Sequence, residues 1–136
     1  MDENRKNRLQ RDSLETLRKE GKFSEFVLVA WGIIELRANE DILKAYRLSS
    51  QDPKSEPLLH LSVGRKLEVL KELGYLSTDE YQTVFEFKKK RNDLFHRGAL
   101  FILHLSQPEK EKVMDMGMQA ADVMHNLSES SCRTRS

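Results

Sequence analysis

The chain has 136 residues and a mass of 15.9 kDa, and its 23 basic and 22 acidic residues leave a net charge of +1. That length fits one domain able to bury a core without disulfide staples, and the near-neutral balance excludes a globally basic nucleic-acid binder. A single cysteine, Cys132, excludes a disulfide framework and a cysteine zinc site.

Hydrophobic residues are 38% and charged residues 33% of the chain, with six glycines and three prolines. Such a composition favours helices with charged outer faces over a sandwich or barrel. The first residues, MDENRKNRLQ, lack the apolar run of a signal peptide, and no stretch approaches the roughly 18 apolar residues of a membrane span. The expected location is cytoplasmic, with no membrane partner.

Residues 1–22 form a polar arm with seven basic and five acidic residues. Leu9, Leu14 and Leu17 are a narrow apolar stripe, predicting a helix over about 8–20 stopped by Gly21. Phe23, Phe26, Val27, Ala30, Ile33, Ile34 and Ile42 then recur mostly at three- and four-residue steps, with Leu28 and Trp31 widening the face. This predicts a long helix capped by Ser24 and reaching about Leu48. Residues 49–57 read as a polar loop.

Ser62 opens the next predicted helix, where Val63, Leu67, Leu70 and Leu73 repeat until Gly74. Ser77-Thr78-Asp79-Glu80 has capping-box spacing and starts a helix running through His96 to Gly98. Residues 99–105 read as an apolar connector. Ser106-Gln107-Pro108-Glu109 repeats the cap spacing, and Val113 through Leu127 continue as a last helix to about Ser128. The expected architecture is an all-α antiparallel bundle of about five helices, with a polar N-terminal helix or arm over 1–22, a helical-bundle domain over 23–128 and a flexible tail over 129–136.

The chemistry-bearing run is Glu86 to Gly98. Lys88, Lys89, Lys90, Arg91 and Arg97 stand against Glu86 and Asp93, a local balance of +3 in a neutral chain. Such a cluster attracts phosphates, although cations near a helix C-terminus also favour its dipole. Asn92 and His96 lie one turn apart on one face. Arg91 lies about 140° from His96 around a helix at 3.6 residues per turn, so one copy of the helix unites them imperfectly. A symmetric second copy would bring two sets to one groove. A near-neutral histidine moves a proton from a ribose 2′-hydroxyl. A forked arginine holds phosphate and offsets developing charge. Asn92 can orient the histidine or bond a phosphate oxygen.

Arg91-Asn92-Asp93-Leu94-Phe95-His96, an arginine, a polar residue, three further residues and a histidine late in a long helix, resembles the signature of the HEPN superfamily. That resemblance, over about residues 23–128, implies a helical bundle that dimerises through the motif helix. It implies metal-independent RNA cleavage by 2′-hydroxyl attack, with catalytic Arg91, His96 and Asn92, and with RNA guided by Lys88, Lys89, Lys90 and Arg97. No cofactor or metal is implied, and toxin–antitoxin, defence or RNA-processing partners are. In HEPN toxins paired with a nucleotidyltransferase, a tyrosine stands two residues after the histidine; here that residue is Gly98. The stretch Glu56-Pro57-Leu58-Leu59 through Leu61-Ser62-Val63-Gly64-Arg65-Lys66-Leu67 and Leu73-Gly74-Tyr75-Leu76 to Tyr81 is also similar to the mannitol operon repressor family. That similarity implies a non-catalytic regulator or binding module instead.

Other residues have quieter readings. Glu35, inside an apolar stretch, is expected to be buried and paired with Arg37, Arg47 or Arg91, or to support the site. Trp31 reads as core or dimer interface. Met114, Met116, Met118 and Met124 read as core filling before a plastic partner surface. His60, His104 and His125 lack metal-ligand spacing. Gly64 and Gly117 are candidates for close helix crossings, and Cys132 lacks an activating neighbour.

Overall fold

The computed structural model describes the backbone of residues 2–134 and the side chains of residues 2–127. Over these it is an all-α bundle of α1 (Glu3–Lys19), α2 (Phe23–Ala45), α3 (Ser55–Leu59), α4 (Val63–Glu72), α5 (Thr78–Arg97), α6 (Ala99–Leu103) and α7 (Gln107–Thr134). No helix among the described residues is long and apolar enough to cross a membrane. α7 runs on to Thr134, past the expected end near Ser128, so residues 129–134 of the expected tail have helical backbone; residues 135–136 and the side chain of Cys132 lie outside what is described.

Short polar side chains set several helix starts. The hydroxyls of Ser62, Ser77 and Ser106 accept hydrogen bonds from the backbone N–H groups of Arg65, Glu80 and Glu109. At Ser77 the box is reciprocal, because its own N–H donates to the Glu80 carboxylate at 2.9 Å. Two expected starts are corrected. α1 begins at Glu3 because Asp2 Oδ1 accepts from Arg5 N at 2.8 Å. α2 begins at Phe23 behind Lys22 without a side-chain cap, so Ser24 lies inside its first turn.

α1 and α4 end in matching turns. Gly21 and Gly74 take left-handed backbone, and Lys22 and Tyr75 donate back to Leu17 and Leu70 carbonyls. α2 closes the same way at Arg47 (φ 57°), with Leu48 N donating to Leu43 O, so it stops at Ala45, short of the expected Leu48. Two segments read as connectors contain a helical turn each: α3 overlaps the 49–57 loop, and α6 lies within 99–105.

The long pair α2 and α7 forms the centre. α5 flanks α7, α4 bridges α2 and α5, and α1 lies across α2 and α7. Phe26, Ala30, Ile34, Phe87, Leu94, Met114, Ala121 and Met124 fill the core. The methionines serve as filling, with Met114 and Met124 buried and Met116 and Met118 packed against the same cluster. A smaller cluster of Ile42, Leu43 and Val69 closes the far end of α2.

α7 approaches α2 and α5 closely at Gly117. A Cβ there would stand 2.8 Å from a Phe26 ring carbon and 3.1 Å from one of Phe87. Gly117→Ala should therefore lower the free energy of unfolding in urea by about 1–2 kcal/mol, overpacking outweighing alanine's better helix propensity; a gain in stability would show that the crossing is loose.

His125 on α7 is buried against α1, its Nε2 2.9 Å from Gln10 Oε1. Burial, with the nearby Arg37 charge, lowers its pKa from 6.5 to about 4. The unfolded chain thus holds the extra proton between those values, and stability falls as pH drops through that window. His125→Gln keeps a donor for Gln10 but does not titrate. Urea titrations at pH 7 and 4.5 should find the variant losing about 1–2 kcal/mol less than wild type on acidification.

Candidate functional site

The motif occupies the last two turns of α5, and its residues divide around that helix. Val84, Phe87 and Leu94 face the core. Arg91 lies beside them at the edge, half-buried, while Asn92 and His96 are exposed on the outward side with Lys89. The angular separation expected from sequence is thus retained. Arg91 bonds Asn92, its Nη1 donating to Oδ1 at 3.0 Å. Among the described residues His96 makes no hydrogen bond or ion pair, with Arg91 or any other group.

Arg91 is held by aromatic rings. Its guanidinium carbon is 5.2 Å from the Trp31 ring centroid on α2 and 4.8 Å from that of Phe95, one turn along α5. Each contact sets a cation against the electron-rich face of a ring. Its Nε is buried without a hydrogen-bond partner among the described residues. Trp31 is buried, as expected for a core position, and serves as the shelf on which the arginine rests.

The basic run does not form one stripe. Lys88 and Lys89 hold their ammonium groups 5.6 and 5.8 Å from the Phe85 ring. Lys88 also crosses over Gly64 of α4, so the close approach expected at that glycine is to a flexible side chain. Lys89 and Lys90 both line a groove with Glu86, Asp93 and Met116 of α7. Arg97 donates to Asp93 at 3.1 Å and stacks on Phe101 at 4.8 Å. Consecutive helical residues step about 100°, so a run of four cations necessarily wraps the helix.

Glu35 departs from expectation. It is exposed, and it bonds none of Arg37, Arg47 and Arg91. The α2 period turns Leu28, Gly32, Glu35 and Leu36 outward together. Its electrostatic neighbour is Lys66, whose pKa is lowered by burial against the opposing pull of Glu35. Lys66 itself donates to Asn39 at 2.6 Å and to the Leu59 carbonyl at 2.9 Å. The buried charged residues of α2 are Arg37 and Asp41, neither of which was expected in the core. The Arg37 side chain is 0% exposed, and Nη1 bonds Glu3 at 2.7 Å and Glu40 at 3.1 Å. The signal was there: Ala30, Ile34, Arg37 and Asp41 share one stripe at helical spacing.

Beside the motif lies an exposed apolar surface. Leu28 is 54%, Leu100 73% and Leu103 71% exposed, and Phe95 is partly open. Phe95, Gly98, Ala99, Ile102, Leu103 and Ser24 line a shallow groove of about 330 Å³. His60 and His104 are exposed at the ends of α3 and α6. Among the described residues no group of three or more His, Cys, Asp or Glu side chains is placed to hold a metal ion.

Comparisons with protein-family models, with curated proteins and with solved structures give no match. The functional reading therefore rests on this chain's own residues.

Trp31 is the chain's one tryptophan, so its emission reports on the shelf. Arg91→Ala removes the cover from the ring and should red-shift its fluorescence, whereas His96→Ala should leave it unchanged. An unshifted spectrum for Arg91→Ala would show that the stacking does not persist in solution.

Proposed function

We propose that the chain is a HEPN-like bundle that cleaves RNA without a metal, and that two copies complete the site. The observation that carries this reading is the arrangement on α5. A guanidinium restrained by Trp31, Phe95 and Asn92 shares the last two turns of α5 with an exposed His96, at the border of an apolar surface. The restrained arginine suits phosphate binding and charge stabilisation. An exposed imidazole suits proton transfer to and from a substrate hydroxyl.

One copy keeps Arg91 and His96 on different sides of α5, so the pair needs a second α5. The exposed Leu28, Phe95, Leu100 and Leu103 supply the apolar area for that pairing. In the reaction His96 takes the proton from the 2′-hydroxyl as the 2′-oxygen bonds to phosphorus. The bond from phosphorus to the 5′-oxygen breaks, and that oxygen takes a proton from solvent or from the second copy's imidazole. The product ends are a cyclic phosphate and a 5′-hydroxyl. Asn92 fixes Arg91, and Lys88, Lys89 and Lys90 attract the backbone. Arg97, tied to Asp93 and Phe101, contributes charge at a fixed position.

The second reading, a binding or regulatory module of the mannitol-repressor kind, draws on the same stacking, because an arginine resting on Trp31 also serves packing. A panel of single-stranded and structured RNAs incubated in EDTA separates the two. Wild type should cleave and leave cyclic phosphate ends. His96→Ala and Arg91→Ala, with native helicity, should lose at least about a hundredfold in rate. Equal activity in all three, or none in wild type across the panel, would overturn the enzyme reading in favour of the module.

A further inference from the structure

α1 is attached to the bundle in a different way from every other long helix. Leu14 is its one fully buried apolar side chain, with Leu17 partly covered, while Leu9 is exposed. The rest of its contact is polar and mostly ionic, with Gln10 also bonding His125. Lys6 meets Glu40 at 2.7 Å, Glu3 meets Arg37 and Lys44, and Arg11 meets Asp122. Arg18 meets Glu111 at 2.7 Å and Asp115 at 2.6 Å. Read along α1, the α7 partners descend from His125 to Asp122 to Glu111, so the two helices run antiparallel, zipped by charge.

The layer under α1 is polar as well. Arg37 is fully buried there with Nε and Nη2 lacking partners among the described residues, and so are both amide atoms of Asn7. Unsatisfied buried groups oppose docking. The partly exposed ion pairs that favour docking are each weak and are screened by salt. The link to α2 is short and turns at Gly21 (φ +71°), so α1 can swing as a unit.

We propose that α1 is an ionically held strap over Arg37, which opens as one helix while α2, α5 and α7 stay folded. Local opening of this kind belongs to elements with few buried apolar contacts. Opening relieves the unpaired Asn7 amide and gives water to the Arg37 guanidinium. The inference is independent of the RNA-cleavage reading, since α1 carries none of its residues.

Hydrogen exchange of the full chain, read by mass spectrometry, tests it. At low salt the amides of α1 should exchange about tenfold or more faster than those in the middle of α2 and α7. At about 0.5 M NaCl that gap should widen. Arg18→Gln, which removes two ion pairs at a partly exposed position, should speed exchange in α1 alone. Protection of α1 equal to that of α2 and α7, or a parallel change in all helices, would overturn the proposal. So would fast exchange in α1 that ignores both salt and Arg18→Gln, because that describes fraying rather than an ionic strap.

Discussion

The close crossing of α7 over Phe26 and Phe87 at Gly117 positions everything else in this molecule. Two aromatic rings from different helices meet the backbone of a third where no side chain intervenes. α2 and α5 are thereby set on α7, and Trp31 and Arg91 come within stacking distance, although α2 and α5 pack mainly through α7 and α4. The motif's geometry is thus inherited from a core contact at a distance. Its rigidity depends on packing, whereas α1 on the opposite side depends on charge.

Much of the fold was legible because its signals are local. Serine caps at 62, 77 and 106 and the left-handed glycines at 21 and 74 act within a few residues of themselves, and they mark the boundaries where the structure has them. The missed features are those decided by distant partners. Arg47 takes the left-handed role usually given to glycine, so nothing in its identity announces the end of α2. α3 and α6 are single turns in segments without periodicity. α1 starts early because Asp2, well ahead of the expected start near residue 8, caps it.

Glu35 and Arg37 show the same lesson within one helix. Reading the run around Glu35 as uniformly apolar predicted a buried carboxylate. The helical period instead turns Glu35 out with Leu28 and Leu36 and brings Arg37 in with Ile34 and Asp41. The candidate site was legible as a motif but not as a geometry. Sequence spacing gave the angular gap between Arg91 and His96, and no spacing rule could reveal that Trp31, sixty residues earlier, lies beneath the guanidinium.

That stacking has an entropic side. A free arginine side chain carries about 2 kcal/mol of rotamer entropy. Arg91 gives up much of it on folding, between two rings and an amide, while its Nη2 makes no hydrogen bond among the described residues. An anion arriving at that open edge meets a side chain already ordered. Its binding then costs little further immobilisation of the protein, which a side chain loose in solvent cannot offer.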